Sequence, residues 1–144
     1  MNATQPAPGW FKVVAIVALL WNLLGVLAFL AQNFLMTPEV LSAMPEEQAA
    51  LITGMPLWAN IAFATAVFGG ALGSLMLLLK KNLAVTFFTL HLVGVLVQDF
   101  HSFVMTNALE VYGPTGLIMP ALVIVIGVFL LMLSIKAKKQ GWTA

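Results

Sequence analysis

The sequence predicts an all-α membrane protein, a four-transmembrane-helix bundle with short helices between the first and second spanning helices. The 144 residues are 62% hydrophobic and only 8% charged, with a mean hydropathy of +1.05, whereas soluble domains carry about 25% charged residues. Four apolar runs each reach the length of about 20 residues that a helix needs to cross a bilayer. The lysines also fall in alternate connections, as in multi-pass proteins. We expect one integral membrane domain over residues 1–144.

The four apolar runs lie near Phe11–Met36, Leu57–Leu79, Leu83–Ala108 and Thr115–Ile135. We expect each to be helical, because lipid offers the backbone no hydrogen-bond partner and the runs lack the alternation of a membrane barrel. Lys12 stands before the first run, as in a signal peptide. That run is longer than a signal core and no small-x-small cleavage site ends it. We therefore expect it to be retained as a helix.

The positive charges predict the orientation of the chain. If the chain crosses the membrane four times, all six lysines fall on one side, and the only charged residues in the remaining connections are glutamates. Connections rich in lysine stay in the cytoplasm, so we predict that the N-terminus and the C-terminus are both cytoplasmic. The lysines are Lys12 before the first helix, Lys80 and Lys81 between the second and third, and Lys136, Lys138 and Lys139 after the fourth.

The connection Thr37–Met55 has helix signals of its own. Thr37 can cap a helix and Pro38 suits its first position. A second start signal follows at residues 45–47, and Gly54 is a plausible stop. The sequence therefore predicts two short helices on the outer side. They would serve either as a connector on the membrane surface or as a lid over a cavity, and the sequence leaves both open.

Polar side chains are costly in lipid, so their positions indicate either helix packing or a site. The third helix carries most of them, including Asp99, the only acidic residue within the four runs. A carboxylate at the bilayer centre costs about 2.5–3.5 kcal/mol on insertion scales. Asp99 sits nearer the outer end, which lowers this cost.

We expect Asp99 and Gln98 to line an outward-facing polar pocket with Asn33 and Asn60, partly covered by residues 39–55. Two further residues, His91 and Asn22, lie deeper, where they can pair. The asparagines and His91 also fit a purely structural role, in which their side chains form hydrogen bonds between helices. The outer half contains no lysine, so a cationic or hydroxyl-bearing ligand fits better than an anionic one. The candidate ligand-binding residues are Asp99, Gln98, His101, Asn33, Asn60, His91 and Asn22.

The composition argues against nucleic acid as a partner and against a bound metal. A net charge of +1 without arginine lacks the basic face that nucleic acid requires. The absence of cysteine removes thiolate metal sites and thiol nucleophiles. Two histidines without a set of acidic ligands make a poor metal site. We expect membrane lipid as the surroundings and no metal or other cofactor.

Small residues predict where helices approach closely. Gly69 and Gly73 have the small-xxx-small spacing that lets helix backbones meet. This face would pack either within the chain or between two copies. The run Leu122–Leu133 of the fourth helix is almost free of polar residues, and we expect it to contact lipid.

Four segments resemble a known family. Residues 20–26 read LWNLLGV, residues 56–63 PLWANIAF, residues 67–79 VFGGALGSLMLLL and residues 110–120 EVYGPTGLIMP. Together they are similar to small bacterial four-helix inner-membrane proteins, commonly uncharacterised, of which some carry the label "sugar transporter". The resemblance implies a bacterial inner-membrane location and transfers no binding or catalytic residues. A sugar-sized path would need a homo-oligomer or an open cavity, because one four-helix bundle fills its own core.

Three classes of function remain open from the sequence. The chain binds or transports a small solute or lipid through the polar pocket, or it is an accessory subunit whose polar residues only pack helices. The third class is a membrane-embedded enzyme using Asp99 with His101 or His91. Catalysis needs groups within hydrogen-bond reach of a substrate, and no spacing here establishes such a set, so we favour a protein without catalysis.

Overall fold

The structure, a computed structural model, describes residues 5–144, so the first four residues of the predicted domain 1–144 lie outside it. The described chain is helical and contains no strand. The helices are α1 (Gly9–Phe34), α2 (Pro38–Ser42), α3 (Glu46–Thr53), α4 (Leu57–Leu78), α5 (Leu83–Phe100), α6 (Ala108–Tyr112) and α7 (Ile118–Lys139). A π-helical turn, His101–Met105, continues α5, and a 3₁₀ turn, Pro114–Leu117, precedes α7.

Four of these segments are long and apolar enough to cross a membrane: α1, α4, α5 with its π-helical turn, and α7 with its 3₁₀ turn. Their outward surfaces carry large exposed apolar side chains, such as Leu20, Leu27 and Met132. A soluble monomer rarely exposes apolar surface on this scale. The chain is therefore a multi-pass integral membrane protein, and the predicted all-α four-helix architecture is confirmed.

The two short outer helices form where the sequence predicts them. The Thr37 hydroxyl accepts a hydrogen bond from the Val40 N–H at 3.3 Å and caps α2. α3 ends at Gly54, whose N–H donates to the Ala50 carbonyl oxygen at 2.9 Å. A Cβ at Gly54 would lie 2.9 Å from that same oxygen, so a residue without a side chain suits this tight end.

The third spanning helix changes its winding near its outer end. It is α-helical to Phe100 and π-helical over His101–Met105, and Thr106 is extended, with φ −126° and ψ 175°. The Thr106 hydroxyl donates to the Ser102 carbonyl oxygen and accepts from the Ala108 N–H. A side-chain hydroxyl that bonds the backbone in this way competes with regular helix. The single helix predicted to Ala108 is thus broken into three parts.

The four spanning helices form an open arc. α1 packs on α4, α4 on α5 and α5 on α7, whereas α1 and α7 hardly approach each other in the described chain. The close pair is α4–α5, where a Cβ at Gly69 would lie 3.1 Å from the His91 backbone nitrogen and one at Gly73 would lie 2.9 Å from the Phe88 ring. The small-residue face of α4 therefore packs within the chain.

One end of the bundle is closed by both termini and the α4–α5 turn. The Asn82 N–H donates to the Ala144 carbonyl oxygen at 2.9 Å, and the Gln5 N–H donates to the Gly141 carbonyl oxygen at 3.0 Å. The Trp142 ring packs edge-on against Phe11, with ring centroids 5.6 Å apart. Beneath it lies a core drawn from all four helices. The lysine-bearing segments thus meet at this end, called the inner end below.

The expectation that residues 122–133 of α7 contact lipid fits the exposed faces of this run but not Leu130 and Leu133. Leu130 is 2% exposed and belongs to the core, and Leu133 is also buried. The reason is that α5 packs along this face of α7. A Cβ at Gly127 would lie 2.8 Å from the Leu92 side chain, so Gly127 allows the two helices to meet. Val125 and Phe129, on other faces of α7, are exposed.

Candidate functional site

A cavity of about 390 Å³ opens among all four spanning helices. We call it the membrane cavity. Its volume lies in the range of about 300–1,000 Å³ that is common for small-molecule sites. Apolar side chains form most of its wall, among them Trp21 and Leu24 of α1, Phe63 and Val67 of α4, Val95 of α5 and Met119 of α7.

The mouth of the membrane cavity lies between α1 and α7. Leu24 and Met119 line the cavity and are also 63% and 58% exposed. These two residues come from the two helices that hardly approach each other. The cavity therefore opens sideways, between the spanning helices toward their surroundings. At the inner end it is closed by the core beneath Trp142.

Four of the seven predicted site residues line the membrane cavity: Asn22, His91, Gln98 and Asp99. Asn22 and His91 converge on Gly70, where a Cβ would lie 2.9 Å from His91 Nδ1 and would overlap Asn22 Oδ1. The absence of a side chain at Gly70 therefore lets polar groups of α1 and α5 meet over α4. The sequence placed these two residues at similar depth, where they can pair, and the structure brings both of them to Gly70.

Asn22 and His91 are nevertheless bonded to other groups. Asn22 Nδ2 donates to the Ala18 carbonyl oxygen at 2.9 Å and to the Ser74 hydroxyl at 3.1 Å. His91 Nδ1 lies 2.5 Å from the Ala66 carbonyl oxygen. A carbonyl oxygen can only accept, so Nδ1 carries the hydrogen, and Nε2 of a neutral ring remains an acceptor. Both side chains thus join helices and also form part of the cavity wall.

Gln98 and Asp99 differ from this pair. Asp99 Oδ2 is buried and has no hydrogen-bond partner within residues 5–144. The side chain of Gln98 likewise makes no hydrogen bond to the described residues and lines the cavity beside it. Leaving a buried polar group unpaired costs about 1–3 kcal/mol. These two side chains are therefore available to a ligand, together with Nε2 of His91.

A second cavity of about 160 Å³ lies beneath α3 and is called the outer cavity below. Leu51, Ile52 and Met55 cover it, which matches the lid interpretation of the outer segment. His101 lines it, and its buried Nδ1 has no partner within the described chain. The His101 ring packs edge-on against Trp58, with centroids 5.2 Å apart. Gln98 lines both cavities and so stands in the wall between them.

The remaining predicted residues, Asn33 and Asn60, line neither cavity of the described chain. They form a reciprocal amide pair: Asn33 Nδ2 donates to Asn60 Oδ1 at 3.2 Å, and Asn60 Nδ2 donates to Asn33 Oδ1 at 2.7 Å. Their partners are thus each other, across α1 and α4. The structure divides the predicted single pocket into two cavities and an amide pair.

Sequence reasoning missed the apolar wall of the membrane cavity, including Trp21, Phe63 and Met119. Apolar side chains are common on every face of a membrane helix, so they do not indicate which face is internal. Sequence reasoning also missed Tyr112 of the outer cavity. Its neighbourhood depends on the break after the π-helical turn, for which the sequence has no clear signal.

Comparison of the chain with models of protein families, with curated proteins and with solved structures finds no match.

Proposed function

We propose that this chain is a membrane-embedded binding protein for an amphiphile. The apolar part of the ligand would occupy the membrane cavity, and its polar group would bond to Gln98 and Asp99. One observation carries the proposal: a sideways-opening apolar cavity of about 390 Å³ contains a buried carboxylate oxygen without a partner. Binding sites of this kind combine apolar walls with a few polar groups that orient the ligand.

The position of the mouth favours a ligand that arrives from the bilayer. A ligand entering between Leu24 and Met119 passes two exposed apolar side chains. A fully polar solute would lose its hydration there without replacement hydrogen bonds, which is unfavourable. The apolar part of a lipid-like molecule loses no hydration on entry, because it is already in hydrocarbon.

The chemistry of Asp99 limits the polar group of the ligand. Asp99 is the only acidic residue among the described residues that line the membrane cavity. No lysine lines the cavity, so a ligand anion would face a carboxyl group without compensation. A hydroxyl, amide or amine on the ligand can donate to Asp99 Oδ2 and satisfy it.

The location of the protein forms part of the proposal. The gathering of the lysine-bearing segments at the inner end supports a cytoplasmic location for both termini. The resemblance to small bacterial four-helix proteins supports the inner membrane. In that setting α2 and α3 lie on the periplasmic side, and Gln98, Asp99 and His101 lie in the outer half of the bilayer.

Tryptophan quenching tests binding directly, because Trp21 lines the membrane cavity. The protein in lipid nanodiscs is titrated with a monoacylglycerol whose acyl chain is brominated. We expect saturable quenching that Trp21→Phe reduces. Ala28→Phe, which enlarges a side chain of the cavity wall, should weaken binding about tenfold. Ala121→Phe, at an exposed position of α7 outside the lining, is the matched control.

Quenching that rises linearly with the probe, equally in Ala28→Phe and Ala121→Phe, would show simple partitioning into lipid. That result would exclude a binding site in the membrane cavity.

A further inference from the structure

We infer that the ligand carries a neutral head with more than one hydroxyl group, which extends from Asp99 past Gln98 into the outer cavity while the apolar part stays in the membrane cavity. The inference rests on the amphiphile binding proposed above and specifies the ligand class. It follows from three features of the described chain: the shared position of Gln98, the uncharged lining of the outer cavity, and the unpaired nitrogen of His101.

Gln98 connects the two cavities. It is the one residue that lines both within residues 5–144, and its amide is bonded to neither wall. A primary amide can donate and accept at the same time. A ligand that extends from one cavity to the other would pass the Gln98 amide. In both cavities the hydroxyl groups of the ligand would then take the place of water as hydrogen-bond partners of this amide.

The outer cavity suits a polar head without a formal charge. Its volume of about 160 Å³ is several times the share of about 30 Å³ that one water has in the liquid, which is enough for a glycerol-sized group. Among residues 5–144, no lysine, aspartate or glutamate lines it. A charged head would leave water there without a counter-charge, which is unfavourable. The polar lining consists of Gln32, Gln98, His101, Ser102, Thr106 and Tyr112.

Nδ1 of His101 is a buried polar atom that a ligand can satisfy. Its side chain is 7% exposed, and Nδ1 is buried without a partner in the described chain. The residue begins the π-helical turn, and such turns often occur at functional sites. A hydroxyl group can donate or accept, so it satisfies Nδ1 in either tautomer of the ring. An ester or a hydrocarbon end lacks the donor that an accepting Nδ1 requires.

The test compares three probes with the same brominated acyl chain, using quenching of Trp21 in nanodiscs. The probes are a monoacylglycerol, the methyl ester and a lysophosphatidylcholine. We expect the monoacylglycerol to bind about tenfold more tightly than the methyl ester, since the ester leaves polar groups of the outer cavity unpaired. The lysophosphatidylcholine should bind no more tightly than the methyl ester.

Variants of the outer cavity should remove only the preference. With His101→Phe or the milder Ser102→Ala, we expect the monoacylglycerol to approach the affinity of the methyl ester. The affinity of the methyl ester itself should stay within about twofold, since neither residue lines the membrane cavity. Ser42→Ala, at an exposed site on α2, is the matched control for the serine variant.

The outcomes separate this inference from the proposed function. Saturable and equal binding of the monoacylglycerol and the methyl ester leaves amphiphile binding intact and overturns the hydroxyl head. Tightest binding of the lysophosphatidylcholine overturns the neutral head. Absence of saturable binding for all three probes overturns the proposed function, and this inference with it.

Discussion

At the scale of single residues, polar groups within the spanning helices divide by whether the fold satisfies them. Asn22, Asn33 and Asn60 each bond to a side chain of another helix, and His91 bonds to a carbonyl oxygen of α4. Asp99 Oδ2 and His101 Nδ1 are buried without partners in the described chain. A polar group in lipid is tolerated when it is bonded. The proposed ligand site is placed at these unbonded atoms for that reason.

Replacing Asp99 by asparagine should separate binding from stability. The carboxyl group has no partner in residues 5–144, so the empty protein should be as stable as the wild type or more stable. Its affinity for a hydroxyl-bearing amphiphile should fall by about tenfold, through the loss of one strong acceptor. Thermal unfolding in detergent and quenching of Trp21 measure the two effects.

Glu110→Gln, at an exposed position between α5 and α7, is the control for a change of charge. A marked loss of stability in Asp99→Asn without any ligand would assign Asp99 a structural role instead.

Asn33 and Asn60 should affect packing and leave binding unchanged. Each amide bonds only the other side chain across the two helices, apart from one bond of Asn33 to the Phe29 carbonyl oxygen at 2.9 Å. Asn33→Ala should therefore lower the free energy of unfolding by about 0.6–1.7 kcal/mol, the range of interhelical hydrogen bonds in membranes.

The double variant with Asn60→Ala should cost less than the sum of the single variants, because the pair is lost only once. A tenfold change of amphiphile affinity in Asn33→Ala would place this pair in the binding site after all.

At the scale of helices, the small residues decide which faces meet. Gly94 of α5 illustrates this: a Cβ there would lie 2.7 Å from the Ala62 carbonyl oxygen and from the Ala66 nitrogen of α4. In lipid no hydrophobic effect drives helices together, so close packing between backbones is a main source of stability. The same principle applies to α7, where Gly127 brings the helix onto α5.

Truncation of Leu130 on α7 should destabilise the protein strongly, although the sequence predicted a lipid-facing position. Its side chain is 2% exposed and lies in the core near the inner end. Leu130→Ala leaves a cavity and should cost about 2–5 kcal/mol of the free energy of unfolding. Leu122→Ala, at an exposed position of the same helix, should change it by no more than about 0.5 kcal/mol.

Gly73→Leu should also destabilise the protein, because its Cβ would already lie 2.9 Å from the Phe88 ring. We therefore expect Gly73→Leu and Leu130→Ala to lower the stability by comparable amounts. Equal stability of Leu130→Ala and Leu122→Ala in detergent would contradict the core position of Leu130.

At the scale of the whole molecule, the open arc explains why a bundle of this size contains a cavity. Four helices that close on one another fill their core with side chains. Here the segment that follows α7 packs on α1, with the ring centroids of Trp142 and Trp10 5.8 Å apart, and α1 and α7 themselves hardly approach each other in the described chain. Residues of both helices line the membrane cavity, so the open arc leaves room for it within one chain.

The orientation of the whole chain is testable, because the protein has no native cysteine. Single cysteines at Lys81 and Gln140 should be inaccessible to a membrane-impermeant thiol reagent in intact cells. Cysteines at Ser42 and Glu110 should be labelled. All four positions are exposed, so burial in the protein does not explain a negative result.

Labelling of Lys81→Cys or Gln140→Cys from outside would contradict the orientation predicted from the lysines. Lysis of the cells before labelling provides the control, since all four variants should then react.

The sequence by itself determined the membrane class, the four spanning segments, the two outer helices with the Thr37 cap, and the gathering of lysines at one end. These features depend on local composition: the length of an apolar run, a cap or stop residue, and a charge that stays out of lipid. The sequence also placed Asp99 and Gln98 at one depth and His91 and Asn22 at a greater depth, because polar residues in lipid are few and their depth can be counted along a helix; that all four line one cavity is visible only in the structure.

Only the tertiary structure decided which polar groups share a cavity and which satisfy each other. The amide pair of Asn33 and Asn60, the buried face of Leu130, and the separation of His101 from Asp99 into two cavities all depend on which helices are neighbours. Helix order in lipid follows from the close fit of small residues such as Gly69, Gly70 and Gly127 against another chain segment. That fit is a property of two surfaces together, so neither segment reveals it alone.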